Sequence, residues 1–314
     1  MRRLLRLGAS LRGTDKWGDR ALAAASYHGR KGLVSALLAA GADVHHASSS
    51  GMTALHWAAQ EGYSECLKLL LAAGADANHV NKGGEPALLA AAYKSRPECV
   101  KILLAAGSNV NHANNSVDSA LNWAAQKGSA DIVKMLLAAG ADANYANSKG
   151  AFPLTIAAEK GHIECVRLLL AAGCDVHQTG ARNWTALISA AWCGHLEIVR
   201  LLLASGAQVD HASDVSYTAL LWAAQKGHIE CVRLLLASGA DANHADNDGN
   251  TALSLAEDNE HEEIAALLEA HIAEAAEQAR LAALVAQAIA SKADTDAAAA
   301  AAAAGGQGQG GGAE

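Results

Sequence analysis

Glycine recurs every 33 residues through most of this 314-residue chain, and this interval constrains the fold more than any other feature. The spacing has no insertion or deletion, so each interval is expected to encode the same structural unit. Units of this size stack side by side, and each contacts only its neighbours. The 33-residue period therefore predicts one elongated array instead of two globular domains. The recurring glycines are Gly41, Gly74, Gly107, Gly140, Gly173, Gly206 and Gly239.

Each interval is expected to contain two short helices. A threonine or serine precedes an apolar run of about two helical turns, where a helix N-cap would lie. A glycine such as Gly62 or Gly128 ends that run, as C-cap glycines do. A second apolar run ends at the 33-spaced glycine, and the following segment, rich in Asn, Asp and Gly, predicts a tight hairpin. The candidate N-caps are Thr53, Ser119, Thr185, Thr218 and Thr251.

The repeated phrase resembles the ankyrin repeat. The segments DNDGNTALSLA (246–256), GHIECVRLLLASGADAN (227–243) and FPLTIAAEKGHIECVRLLLAAG (152–173) carry that pattern. The resemblance covers about residues 1–272 and implies an all-α solenoid of stacked helix–turn–helix units with short hairpin loops. One departure recurs: the family's Thr-Pro-Leu-His is Thr-Ala-Leu-X in most units, and the histidine follows only at His56. We therefore expect the hydrogen bonds between neighbouring units to be weaker or to come from other residues.

The period divides the chain into four segments. The second-helix phrase also aligns one period before Gly41, so residues 1–14 are predicted to form the second helix and turn of a half repeat. The alternative for this segment is a mitochondrial leader. Residues 15–272 are predicted to form seven full repeats and a degenerate C-terminal cap. Residues 273–293 are expected to form a helix that folds back onto the array, or alternatively presents a seam to a partner. Residues 294–314 are a low-complexity Ala/Gly tail, expected to be flexible.

Composition excludes several classes of protein. The formal net charge is −8, so the chain lacks the net basic character that binding to nucleic acid requires. It contains no apolar run long enough to span a membrane. One Phe and three Pro, against abundant Ala, Leu and Gly, argue against a β-rich fold. The cysteines form no C-x-x-C pair, which fits a reducing compartment, and we expect a cytoplasmic or nuclear protein.

Neither catalysis nor metal binding is predicted. Cys66, Cys99, Cys165 and Cys231 share one slot that other units fill with Ile or Leu, which indicates small core residues. Most histidines recur at two repeat positions, and units about 8–10 Å apart hold them too far apart to ligate one zinc ion at about 2.0–2.1 Å. No hydrolase, P-loop, zincin or dinucleotide-binding motif occurs. We expect no enzyme activity, no cofactor and no metal.

Slots that vary without a packing reason are candidates for binding a partner. In ankyrin repeats the hairpin tips and the exposed side of the first helix line the concave surface. Aromatic residues replace polar ones at several of these slots, and aromatic side chains are frequent interface anchors. Lys94, Lys127 and Lys160 occupy one slot in three consecutive units and form a basic stripe. The full candidate set is Trp184, Trp192, Tyr217, Tyr93, Lys94, Lys127, Lys160 and Lys226.

A different slot on the first helix holds Trp57, Trp123 and Trp222, and other units place Ala, Ile, Ser or Leu there. This slot lies within the phrase L-x-W-A-A, next to residues that are expected to be buried. We therefore interpret these three tryptophans as packing residues between units, not as ligand-binding residues.

The expected function is a non-catalytic protein–protein interaction scaffold or adaptor that binds on the concave face. The partner would offer an apolar residue near Trp184 and Trp192 and acidic groups along the lysine stripe. The alternative is the substrate-recognition part of a larger effector, such as a ubiquitin-ligase adaptor. A structural oligomer formed through the C-terminal helix is a third hypothesis. We expect a monomer that binds one or more proteins, without nucleic-acid or membrane partners.

Overall fold

The computed structural model describes residues 21–305, and within this range the chain forms sixteen α-helices, one 3₁₀ turn (Ala181–Asn183) and no β-strand. The predicted half repeat at 1–14, and the leader that is its alternative, lie outside the described residues. The helices are α1 (Ala21–Tyr27), α2 (Lys31–Ala39), α3 (Ala54–Glu61), α4 (Ser64–Ala72), α5 (Ala87–Tyr93), α6 (Pro97–Ala105), α7 (Ala120–Lys127), α8 (Ala130–Ala138), α9 (Pro153–Lys160), α10 (Ile163–Ala171), α11 (Ala186–Cys193), α12 (Leu196–Ala204), α13 (Ala219–Gln225), α14 (Ile229–Ala237), α15 (Ala252–Asp258) and α16 (Glu262–Gly305).

The caps predicted from the sequence determine where the helices begin and end. The Ser119 hydroxyl accepts a hydrogen bond of 3.2 Å from the backbone N–H of Asn122 and begins α7. Gly128 follows the last residue of α7 with a φ of 67°, a left-handed conformation that favours glycine. A Cβ at this glycine would also collide with the ring of His162 in the next unit. The equivalent N-cap bonds are accepted by Thr185, Thr218 and Thr251.

Alanine pairs on the first helices allow neighbouring units to pack closely. Ala58 and Ala59 on α3 are fully buried, and every first helix from α3 to α13 carries such a pair. The first helices contact one another more extensively than the second helices do. The second helices contribute larger buried residues, among them Leu67 and Leu70 of α4. Because one row of helices packs more closely than the other, the array curves with the first helices on its concave side. The predicted all-α solenoid is confirmed.

Two series of histidines link neighbouring units through their backbones. In the hairpins, Nε2 of His79 donates to the carbonyl oxygen of Gly51 in the preceding hairpin at 3.1 Å. At the start of a second helix, Nε2 of His162 donates to the carbonyl oxygen of Gln126 in the preceding unit at 3.1 Å. These bonds supply the links that the missing Thr-Pro-Leu-His motif would otherwise make. The remaining members are His112, His211 and His244 in the hairpins and His195, His228 and His261 at the helices.

His56 is the one histidine in the family's motif position, and the fold buries it completely. Its Nδ1 accepts a hydrogen bond of 3.2 Å from the backbone N–H of Thr53, and its Nε2 donates to the carbonyl oxygen of Glu85 at 3.0 Å. Burial lowers the pKa of His56 and outweighs the hydrogen bond to the Glu85 carbonyl, which raises it; the charge of His79 also lowers it, and the resulting pKa is about 4. The imidazole is therefore held neutral, since a proton on Nδ1 would face the N–H that it now binds.

The C-terminal helix differs from the expectation drawn from the sequence. Residues 273–293 do not fold back as a separate helix, because α16 continues without a break from Glu262 to Gly305. Only its beginning packs on the array, where Ile264 and Leu268 are buried against the last repeat. Leu281 and Ile289 remain 53% and 65% exposed. The helical spacing of these apolar residues predicts a face that packs on the array. The alanine-rich helix instead continues past the last repeat, so this face has no repeat to contact.

The expected low-complexity tail begins inside this helix. Residues 294–305 continue α16, so this part of the tail is helical instead of flexible, and residues 306–314 lie outside the described range. Alanine has the highest helix propensity of all residues, which explains why a run of alanines extends a helix that is already formed. The seam alternative and the hypothesis of an oligomer remain untested predictions.

The burial of His56 predicts a specific loss of stability in acid. The pKa is about 4 in the folded chain against 6.5 in a model peptide, so the unfolded chain binds the proton more tightly. The contribution of His56 to the free energy of unfolding is complete above pH 6.5 and falls progressively as the pH drops toward 4. The total loss is about 3 kcal/mol, since each pKa unit corresponds to about 1.4 kcal/mol. Denaturant unfolding of the wild type at several pH values across this window measures it.

Asparagine provides the matched control for this prediction, because Asn122 fills the same slot and accepts a hydrogen bond of 3.0 Å from the Ser119 N–H. We expect His56→Asn to remove about 3 kcal/mol of the acid-dependent loss without unfolding the array. All other histidines are present in both proteins, so their contributions to the pH dependence of stability cancel in the comparison. Equal losses of stability in the wild type and in His56→Asn between pH 6.5 and 4 would contradict the assignment.

Candidate protein-binding surface

The candidate residues predicted from the sequence lie on the concave side of the array. Tyr93, Lys94 and Lys127 stand at the C-terminal ends of first helices, and Trp184 and Tyr217 lie in the hairpins that precede first helices. The structure therefore places side chains from different units next to one another along one face. It gathers them into two separate groups, one around Tyr93 and one around Trp192.

Four aromatic residues form the larger group, which we call the aromatic cluster: Trp184, Trp192, Tyr217 and Trp222. The ring centroid of Trp222 lies 4.5 Å from that of Tyr217 and 5.4 Å from that of Trp184. Trp192 completes the group at 5.7 Å from Trp184 and 6.5 Å from Trp222. All four side chains are half-buried, so each keeps part of its surface open to a partner. The three aromatic residues chosen from the sequence therefore share one site.

Trp222 is the member of the aromatic cluster that sequence reasoning missed. It was interpreted as a packing residue, and it does contact a ring of the preceding unit, but it also joins the three candidate residues. A signal for this was present in the sequence. Wherever the exposed slot of a first helix is aromatic, a tryptophan follows 30 residues later; where that slot is Gln or Glu, none follows. The aromatic pairs are Tyr27–Trp57, Tyr93–Trp123 and Trp192–Trp222, and all three are in ring contact.

The hairpins that carry Trp184 and Tyr217 have strained tips. Most other hairpins place a glycine with positive φ at the tip, such as Gly150 at 68°, whereas the hairpin before Asp118 places Val117 there at 60°. Here Asn183 and Ser216 adopt a φ of 60° directly before Trp184 and Tyr217. Non-glycine residues in this conformation cost about 1–3 kcal/mol and occur preferentially at functional sites. Strain of this kind therefore occurs at these two adjacent hairpins and also at the hairpin of Val117.

The lysine stripe is only partly available to a partner. The Nζ atoms of Lys127 and Lys94 lie 4.7 and 5.1 Å from the ring centroid of Tyr93, within range of cation–π attraction. Lys160 instead forms an ion pair of 2.7 Å with Glu159. Lys226, in the same slot, is exposed beside the aromatic cluster. Tyr93, Lys94 and Lys127 thus lie together in one group, whereas the charge of Lys160 is offset by its ion pair with Glu159.

Carboxylates border the aromatic cluster on the side of the following unit. Asp246 is 7% exposed; burial alone would raise its pKa, but hydrogen bonds from Asn250 and from the backbone N–H of Asp248, together with the nearby Tyr217 hydroxyl, outweigh that effect and lower it. Burial raises the pKa of Tyr217, and the charges of Asp246 and Asp248 raise it further. Two carboxylates therefore lie beside the Tyr217 end of the cluster.

Two polar atoms in this region lack a hydrogen-bond partner. Nε1 of Trp222 and Oε1 of Gln225 are buried in the aromatic cluster region without one, and Nε1 of Trp123 is in the same state beside Tyr93. Buried polar groups are usually paired, so such atoms mark positions where water or a bound partner completes the bonding. Their occurrence on two of the three aromatic pairs distinguishes these pairs from the packed core.

The cysteines lack the features of reactive groups. Burial raises the pKa of Cys99, Cys165, Cys174 and Cys231 to about 11, so these thiols stay protonated and make poor nucleophiles or metal ligands. Within residues 21–305 no cluster of His, Cys, Asp and Glu has a geometry that could hold a metal ion. The same helices include none with the length and apolar character of a membrane span.

Stacked helix pairs, capped hairpins and an open aromatic surface define a repeat protein of the helical solenoid class. The family described as ankyrin repeats (3 copies) matches residues 1–81, 73–147, 121–213 and 210–278. The chain therefore belongs to the ankyrin-repeat family. Ankyrin repeats are generally protein–protein interaction modules and typically a non-catalytic fold. A comparison with curated proteins finds no match.

A double-mutant cycle tests whether the ring contacts couple neighbouring units. We expect Trp192→Gln and Trp222→Leu to show a coupling energy of about 0.5–1.5 kcal/mol in unfolding, because the two rings pack edge to face across the unit boundary. Gln and Leu are chosen as the replacements because the next unit places Gln225 and Leu255 in the same two slots. Trp192→Gln combined with Trp57→Leu is the control pair and should be additive within about 0.5 kcal/mol. Additivity in both pairs would contradict the contact.

Proposed function

We propose that this chain is a non-catalytic scaffold or adaptor that binds a partner protein on the concave face of its array. The observation that carries this proposal is the aromatic cluster, in which Trp184, Trp192, Tyr217 and Trp222 from two units meet at a half-buried surface. Tryptophan and tyrosine dominate the binding energy of protein interfaces because they bury a large area at a small cost in side-chain entropy. A group of four such rings at a half-buried surface supports a binding role.

The second contact region is the group of Tyr93, Lys94 and Lys127, and it favours acidic groups on the partner. The two ammonium groups share one aromatic ring and have no carboxylate within ion-pair distance among the described residues. A carboxylate from a partner would be attracted to both charges at once. Exposed ion pairs contribute about 0–1 kcal/mol, so this region would mainly orient the partner, with the aromatic cluster providing most of the affinity.

An extended partner is required to reach both regions. Tyr93 and Trp192 are 99 residues apart, which equals three repeat units. At about 10 Å per unit, the two regions lie about 30 Å apart along the array. An interface of standard size buries about 800 Å² on each partner, which a surface of three or four units can provide. The same surface would serve the alternative role, in which the array recognises substrates for a larger effector such as a ubiquitin ligase.

Proximity labelling combined with affinity capture tests this proposal. The double variant Trp192→Gln with Lys127→Glu changes one residue in each contact region. The matched control, Ile163→Ala with Lys134→Glu, removes an exposed apolar residue and reverses one charge on second helices, away from the concave face. We expect the wild type and the control to enrich the same partners. These partners should bind the Trp192→Gln with Lys127→Glu variant at least about tenfold more weakly, a loss of about 1.4 kcal/mol in binding free energy. Partners that bind all three proteins equally would refute binding on the concave face.

A further inference from the structure

The two aromatic groups that contain the candidate residues occupy equivalent positions, and the chain covers only one of them with its own cations. Tyr93 and Trp192 stand in the same slot three units apart, and Trp123 and Trp222 stand in the slot that follows each of them. Over Tyr93 the chain places the ammonium groups of Lys94 and Lys127, at 5.1 and 4.7 Å from the ring centroid. Comparing the two positions shows what the second one lacks.

At the aromatic cluster, Cys193 replaces Lys94 in the corresponding slot. Lys226 corresponds to Lys127, but across residues 21–305 the cation–π contacts involve Tyr93 alone, and no ammonium or guanidinium group lies over Trp192. The indole ring attracts cations more strongly than the phenol ring of tyrosine does. The stronger of the two aromatic surfaces is thus the one that carries no cation of its own.

The charges around the aromatic cluster also suit a cation. The carboxylates of Asp246 and Asp248 both lie close enough to the Tyr217 hydroxyl to raise its pKa. On the opposite side, Glu159 occupies the slot that precedes Trp192 by one unit; burial and the charge of Glu159 raise the pKa of Cys193, while Lys160, the ion-pair partner of Glu159, lowers it. An apolar side chain placed here would desolvate the exposed carboxylate of Asp248 without offering it a partner.

We propose that the aromatic cluster binds the side chain of a lysine or arginine in a basic segment of the partner protein, with Asp246 and Asp248 on one side of the bound cation. This inference rests on the proposed function and specifies its chemistry. It replaces the apolar residue that the sequence suggested for the position near Trp184 and Trp192. Together with the acidic groups favoured near Lys94 and Lys127, it describes a partner whose two ends carry opposite charge.

Synthetic peptides that differ only in their central residue test this inference. The residue is arginine, lysine, citrulline, leucine or glutamate; citrulline has nearly the shape of arginine but no charge. Binding is followed by tryptophan fluorescence and by the indole N–H resonances of the wild-type chain. We expect the arginine and lysine peptides to bind about threefold to tenfold more tightly than the citrulline, leucine and glutamate peptides.

A designed variant distinguishes a cation site from a merely acidic surface. Cys193→Lys places an ammonium group where Lys94 stands beside Tyr93, so it should cover the ring face and abolish the preference for cationic peptides. Ala172→Lys adds the same charge at an exposed position after α10, on the side of the second helices, and should retain the preference. Because both changes add one lysine at exposed or half-buried positions, circular dichroism is expected to show equal folding.

The outcomes separate this inference from the proposed function. If leucine binds best and Trp192→Gln weakens it, the cluster is an apolar site: the inference is overturned and the proposed function stands. If no peptide shows a charge preference at millimolar concentration, or if Cys193→Lys retains the preference, the inference is also overturned. If neither the peptides nor the captured partners bind more weakly when Trp192 is replaced, the proposed function itself is overturned.

Discussion

The packing of short helices against their neighbours is the interaction on which the whole structure depends. A helix of seven to nine residues, such as α3 or α4, is too short to be stable alone in water. Its apolar face becomes buried only when the next unit covers it. The buried alanine pairs bring the first helices closer together than the second helices. Curvature, the concave face and the positions of every candidate residue follow from this difference in side-chain volume.

The concave face acquires its chemistry from slots that packing leaves free. At Trp192 and Trp222 a pair of slots holds two aromatic rings, and at Gln225 and Leu255 the same pair holds one polar and one aliphatic residue, yet both units stack. The stacking contacts therefore do not dictate these residues. The positive-φ residues Asn183 and Ser216 and the carboxylates of Asp246 and Asp248 lie in the same region. Several independent features coincide there, although neighbouring units are otherwise alike.

Much of the architecture could be predicted, and the reasons for the exceptions are physical. The glycine period and the caps at Ser119 and Thr185 gave the helix pairs correctly, because capping is a local interaction. The sequence identified three residues of the aromatic cluster but missed Trp222, since that contact joins slots on different units. The C-terminal helix was expected to fold back, yet helix propensity in an alanine-rich segment extends α16 instead. The histidine links were likewise invisible to reasoning within one unit.

The sequence by itself determined the repeat length, the two-helix unit, the family and the absence of recognisable catalytic motifs, because these depend on periodicity and on interactions a few residues apart. Only the tertiary structure decided which rings meet, which lysines lie over Tyr93 and which aromatic surface has no cation of its own. Those outcomes depend on the distance between units and on side-chain direction across unit boundaries. Stacking sets both quantities, and neither is encoded within a single repeat.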